Sequence, residues 1–96
     1  MFLIELTYQL PWEEVQKYVV EHRAFLGRYY EARELLVSGP KANKTGGIIL
    51  SLQTNRAAVD ELIHHDPFYV KGVAKYTVSE FAAVKFQPEI QELLGN

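Results

Sequence analysis

The chain contains no cysteine in its 96 residues. Disulfide scaffolds, thiolate zinc sites and thiol nucleophiles are therefore all excluded. Long apolar runs are missing too: nothing approaches the roughly 20 residues that a bilayer span requires, so no membrane partner is expected. The opening Met1-Phe2-Leu3-Ile4-Glu5-Leu6 is apolar, but it has no basic leader and no small-residue cleavage site, and Glu5 lies within it. It reads as a β-strand, and a cytoplasmic location is the expectation. Neither sign of charge dominates: ten Lys and Arg against twelve Asp and Glu leave a net charge of −2. Without a basic field or a polybasic run, neither nucleic acid nor an anionic membrane surface is expected as a partner. The polar stretch Lys41 to Gly47 lacks the Gly-Lys-Ser/Thr of a phosphate loop, and no cofactor is expected.

What remains is the composition of an ordinary globular domain, 48% hydrophobic and 23% charged. Residues 1–96 are read as one domain, short enough for oligomerisation to supply missing burial. Phe2, Ile4, Leu6 and Tyr8 fall on one face and Leu3, Glu5, Thr7 and Gln9 on the other, which predicts a strand with one strongly apolar face. Pro11 suits a helix start, and Trp12, Val15, Tyr18, Val19, Phe25, Leu26 and Tyr29 form one stripe on a helix of about five turns. Leu35-Leu36-Val37-Ser38 predicts a second strand that Gly39-Pro40 ends, and Ile48 to Gln53 a third. Thr54 or Asn55 can cap a second helix from Arg56 to His65, with Ala58, Val59, Leu62 and Ile63 inward. Val73 to Phe86 reads as a long last strand, and Pro88 to Leu94 as a short C-terminal helix closed by Gly95.

Two ionisable residues fall on these inward stripes. His22 sits three residues after Val19 and three before Phe25. Asp66 follows Ile63 by three and Leu62 by four, and Pro67 forces the helix to stop there. An isolated histidine on an apolar stripe is ordinarily a core-edge residue bonded to a backbone carbonyl; a buried partner makes it a site. His64 and His65 adjoin Asp66, but neighbours on a helix diverge by about 100°, so no metal site is expected.

The order strand, helix, strand, strand, helix, strand predicts an α+β, ferredoxin-like βαββαβ fold: a four-stranded antiparallel sheet with two helices on one face. The other face would carry Leu3, Thr7, Leu35, Val37, Ile49 and Val78, too apolar to be left in water. Stacking that face on a second copy predicts a homodimer, possible higher oligomers included, with the Phe81 to Phe86 extension crossing to the partner.

The chain resembles the YciI-like (YCII-related) proteins of the dimeric α+β barrel superfamily. The resemblance rests on His22-Arg23-Ala24-Phe25-Leu26, Leu35-Leu36-Val37-Ser38-Gly39-Pro40, the third strand opening at Gly47, and Asp66-Pro67-Phe68 in this order. The chain departs from the family before the second strand, where Glu31-Ala32-Arg33 stands in place of the usual glycine. The resemblance implies a His–Asp pair as the active site, here His22 and Asp66, in a family that includes a dehydrochlorinase of chloroaromatic breakdown. A carboxylate beside an imidazole fixes the ring's tautomer, so His22 would move a proton while Asp66 orients and charge-balances it. Ser38, Gly39 and Pro40 would line the mouth of a substrate site, with Phe68 and Trp12 as its apolar walls.

Three functions fit these residues. One is a small acid–base enzyme, a lyase or isomerase related to the dehydrochlorinase, acting on a small cyclic or aromatic metabolite. A second is a non-catalytic dimer that binds a small-molecule ligand through the same pair. In the third the buried His–Asp bridge only fixes packing in a structural dimer.

Overall fold

The computed structural model describes residues 1–95. Strand β1 (Phe2–Tyr8) leads through a one-turn helix α1 (Trp12–Val15) and a 3-10 turn at Gln16–Tyr18 into α2 (Val19–Glu31). The hairpin β2 (Leu35–Pro40) and β3 (Gly46–Ser51) follows, then α3 (Arg56–His65), a second one-turn helix α4 (Pro67–Val70) and β4 (Ala74–Glu80). The sheet order is β2-β3-β1-β4 with every pair antiparallel, the ferredoxin-like arrangement.

Phe2, Ile4 and Leu6 of β1 are buried against Phe25 and Leu26 of α2 and Val59, Leu62 and Ile63 of α3. The β1 alternation therefore picks out the helix-covered face. Asn55 caps α3, its Oδ1 accepting the Ala58 N–H at 2.8 Å. No helix among the described residues is long and apolar enough to cross a membrane.

Several expected elements differ. The first helix is broken, because Trp12, Val15 and Tyr18 recur in threes, the period of a 3-10 turn, and Tyr18 takes φ −112° and ψ 0°. β2 ends at Gly39-Pro40 as expected, with both residues inside the strand as its last two. Proline is tolerated there because β2 is an edge strand. The last strand stops at Glu80, with one further backbone pairing between Phe81 and Met1, and residues 82–87 are not strand. The C-terminal helix is two 3-10 turns, Pro88–Ile90 and Glu92–Leu94, closed by Gly95 in the left-handed conformation.

The face opposite the helices also differs from expectation. Register places Leu35, Ile49 and Val78 on the helix side, alongside Phe2 and Ile4. Leu3, Thr7 and Val37 do lie outward, and Ile48 and Leu50 join them. A bulge between Leu35 and Val37 reverses the pleat of β2, and strand periodicity alone does not reveal it.

At the end of α2, Arg33 takes a left-handed φ of 60°. Its N–H bonds the Tyr30 carbonyl at 3.0 Å and the Glu34 N–H bonds that of Tyr29 at 2.9 Å, a Schellman motif. Arginine thus occupies a position where glycine is the unstrained choice. The exposed Arg33–Glu92 pair, 3.4 Å apart, adds little. Arg33→Gly is expected to stabilise the protein by about 0.5–1 kcal/mol, the left-handed penalty less the entropy cost of glycine. Urea denaturation checks this through a raised midpoint at constant slope.

Candidate active site

Asp66 occupies the joint between α3 and α4. Its φ of −66° and ψ of 127° are the extended geometry that a following proline imposes. Pro67 then opens α4, so the chain turns there instead of leaving directly for the last strand. The Asp66 side chain is wholly buried. Oδ1 accepts the Phe68 N–H at 3.0 Å and faces His22 Nδ1 at 2.7 Å, while Oδ2 accepts the Tyr76 hydroxyl at 2.7 Å. Donors from α4, α2 and β4 thus converge on one carboxylate.

That network fixes the imidazole. An ionised carboxylate only accepts, so His22 Nδ1 carries a hydrogen and donates it. The ring lies flat on Phe68, with centroids 3.9 Å apart and planes within 3°. Phe68 in turn meets Tyr8 edge-on at 6.0 Å. Nε2 has no hydrogen-bond partner among the described residues, and no buried side-chain nitrogen or oxygen among them is left unpaired. Nε2 is therefore reachable, and the side chain as a whole is 12% exposed.

His22 and Phe68 form part of the wall of a cavity of about 220 Å³ between the helices and the sheet. Trp12, Ser38, Gly39 and Pro40 line it as well. Trp12 stacks on Tyr8 at 6.0 Å, and the Ser38 Oγ is 2.6 Å from the Tyr30 hydroxyl. The space owes its floor to Gly47, which faces the helices opposite Leu6 and Pro40 and has no side chain to fill it. A Cβ at Gly47 would lie 3.1 Å from the Gly39 carbonyl oxygen. His64 packs edge-on against Tyr69 and His65 Nδ1 approaches the Glu61 carbonyl at 2.8 Å, so the two histidines beside Asp66 do not turn toward it.

Tyr76 was not singled out from the sequence, where it counts as one more aromatic of the last strand. Its place opposite Leu6 puts it on the helix face, and only that register brings its hydroxyl to Asp66. Burial raises the Tyr76 phenol far above its ordinary 10.0, and the Asp66 charge and their hydrogen bond push the same way. The folded state thus holds this proton more tightly than the unfolded chain. The resulting stability is complete below about pH 10 and declines as pH rises beyond it. Denaturation across that range should show a shallower alkaline decline for Tyr76→Phe than for the wild type.

The architecture is α+β and ferredoxin-like, with a histidine–carboxylate pair on the wall of an apolar cavity. The chain belongs to the YCII-related family, whose domain model matches residues 1–82. Among solved structures it is similar to the 5-chloro-2-hydroxyhydroquinone dehydrochlorinase of Burkholderia phenoliruptrix AC1100 in complex with 2,5-dihydroxybenzoquinone. That match has a TM-score of 0.71 at 17% identity, covering 85% of this chain and 94% of the other, and it speaks to the fold. No curated protein matches by sequence.

Proposed function

We propose that the protein is a small acid–base enzyme, of lyase or isomerase type, acting on a small cyclic or aromatic metabolite. The observation that carries this reading is the 2.7 Å contact between His22 Nδ1 and a fully buried Asp66, which leaves Nε2 as the free nitrogen at the cavity. Nε2 takes a proton from the ligand, and Asp66 balances the imidazolium that results. In an isomerisation the proton returns at another ligand atom. In an elimination the electron pair of the broken bond to hydrogen forms the new double bond, and the leaving group departs with its own pair. An apolar cavity of about 150 Å³ holds benzene, so one of this size suits a substituted six-membered ring. The structural neighbour's name describes a dehydrochlorination of a hydroxylated ring, which is chemistry of this kind.

The test is proton exchange. Small phenols, enols and quinols, chlorinated hydroquinones among them, are incubated with the protein in D2O and followed by NMR. Turnover, or deuterium entry at a ligand carbon, is expected with the wild type and not with His22→Asn. Ligands that bind the cavity without exchange or turnover would leave a binding protein, and a stability defect with no ligand at all would leave a structural bridge.

The working unit is a homodimer formed through the outer sheet faces. Its support is the apolar row of Leu3, 38% exposed, and Val37, 55% exposed, with Ile48 and Leu50 between them. Val37→Glu should lower the mass seen by light scattering from that of two chains to that of one, while a wild-type monomer at micromolar concentration would remove the dimer.

A further inference from the structure

We infer that Arg23 anchors an anionic oxygen on the ligand, so that the cavity selects small rings bearing a phenolate, enolate or carboxylate. This rests on the cavity being a ligand site, as the acid–base reading requires. Arg23 follows His22 on α2 and lines the same cavity. It has no carboxylate partner among the described residues; Arg28, Lys44, Lys71, Lys75 and Lys85 have none either, but of these cations only Arg23 lines the cavity. No Asp or Glu lines the cavity. The nearby carboxylate, Asp66, is wholly buried and already accepts from three donors. Lys44 Nζ lies 5.4 Å from the centre of the ring of Trp12, itself a cavity residue, and has no acidic partner among the described residues. The charge on Arg23 also reaches the Tyr8 phenol, opposing the rise that burial imposes there.

An exposed arginine is ordinarily a solvated surface charge, but an unpaired one in the wall of an aromatic-lined cavity has a further use. Its planar fork matches the two oxygens of a carboxylate or of an ortho-hydroxy oxyanion. A bound anion would also stabilise the imidazolium once His22 has taken a proton, since both charges would share a site of low polarity.

Trp12 is the one tryptophan in the sequence and lines the cavity, so its fluorescence reports occupancy. The probes are matched pairs: benzoate against benzamide, and 2,5-dihydroxybenzoquinone, an anion at neutral pH, against its dimethyl ether. At least one anion is expected to quench Trp12 and to bind more tightly than its neutral partner. Arg23→Gln should weaken that anion about tenfold and leave the neutral partner unchanged. Equal binding of both members, an unaltered anion Kd in Arg23→Gln, or no quenching by either anion at millimolar concentration would overturn the assignment. His22→Asn separates the two readings, because it should slow proton exchange at least about a hundredfold while the anion still binds more tightly than its neutral partner. If the wild type shows no exchange while the anion pattern holds, the acid–base reading fails and the anchor stands.

Discussion

Asp66→Ala is expected to cost about 3 kcal/mol or more of folding stability, among the largest effects of any single substitution in this chain. Three elements send donors to the carboxylate, and alanine orphans all of them: the Phe68 N–H that begins α4, the Tyr76 hydroxyl and His22 Nδ1. The bond to the Phe68 N–H is also the cap of α4. Asp66→Asn should behave differently. Its carbonyl oxygen can replace Oδ1 and keep the His22 and Phe68 bonds, while its amide donates to a reoriented Tyr76 hydroxyl. The expected loss is then about 1 kcal/mol, mainly the weakening of charged hydrogen bonds to neutral ones. Urea midpoints for the two variants at equal slope provide the comparison. Equal losses would mean that the carboxylate's hydrogen bonds do not hold the joint between α3 and α4.

His22→Asn is expected to lower proton exchange or turnover by roughly 10²–10⁴-fold, the usual contribution of a positioned acid or base. Asparagine places an amide nitrogen near the position of Nδ1, so Asp66 keeps a donor, while nothing replaces Nε2. The fold should survive with a loss of about 1 kcal/mol from the missing stack on Phe68. His22→Ala removes the donor as well and should be the less stable of the two. An activity unchanged in His22→Asn would show that the chemistry bypasses the imidazole.

Both members of the pair were legible in the sequence for the same reason. Each is an ionisable residue on an apolar helical stripe, where spacing in threes and fours fixes direction. Pro67 added the position of the turn, since a residue before proline is held extended. Tyr76 was hidden because a phenol scores as apolar in a strand, and its register against Leu6 is a long-range fact. Leu35, Ile49 and Val78 fall on the covered face against expectation because alternation gives two faces without saying which is covered. The bulge in β2 then shifted the count. Arg33 in the left-handed region was invisible to composition, though the missing glycine marked the place. The long last strand failed at Glu80 because aromatic and β-branched content records a preference for sheet, not a neighbour to pair with.

The flat contact between His22 and Phe68 has a stereochemical consequence. With one face on a buried ring and Nδ1 tied to Asp66, the imidazole cannot turn over, so its free nitrogen serves a ligand from one side only. A prochiral carbon exchanging its hydrogen in this cavity should therefore acquire deuterium as a single enantiomer.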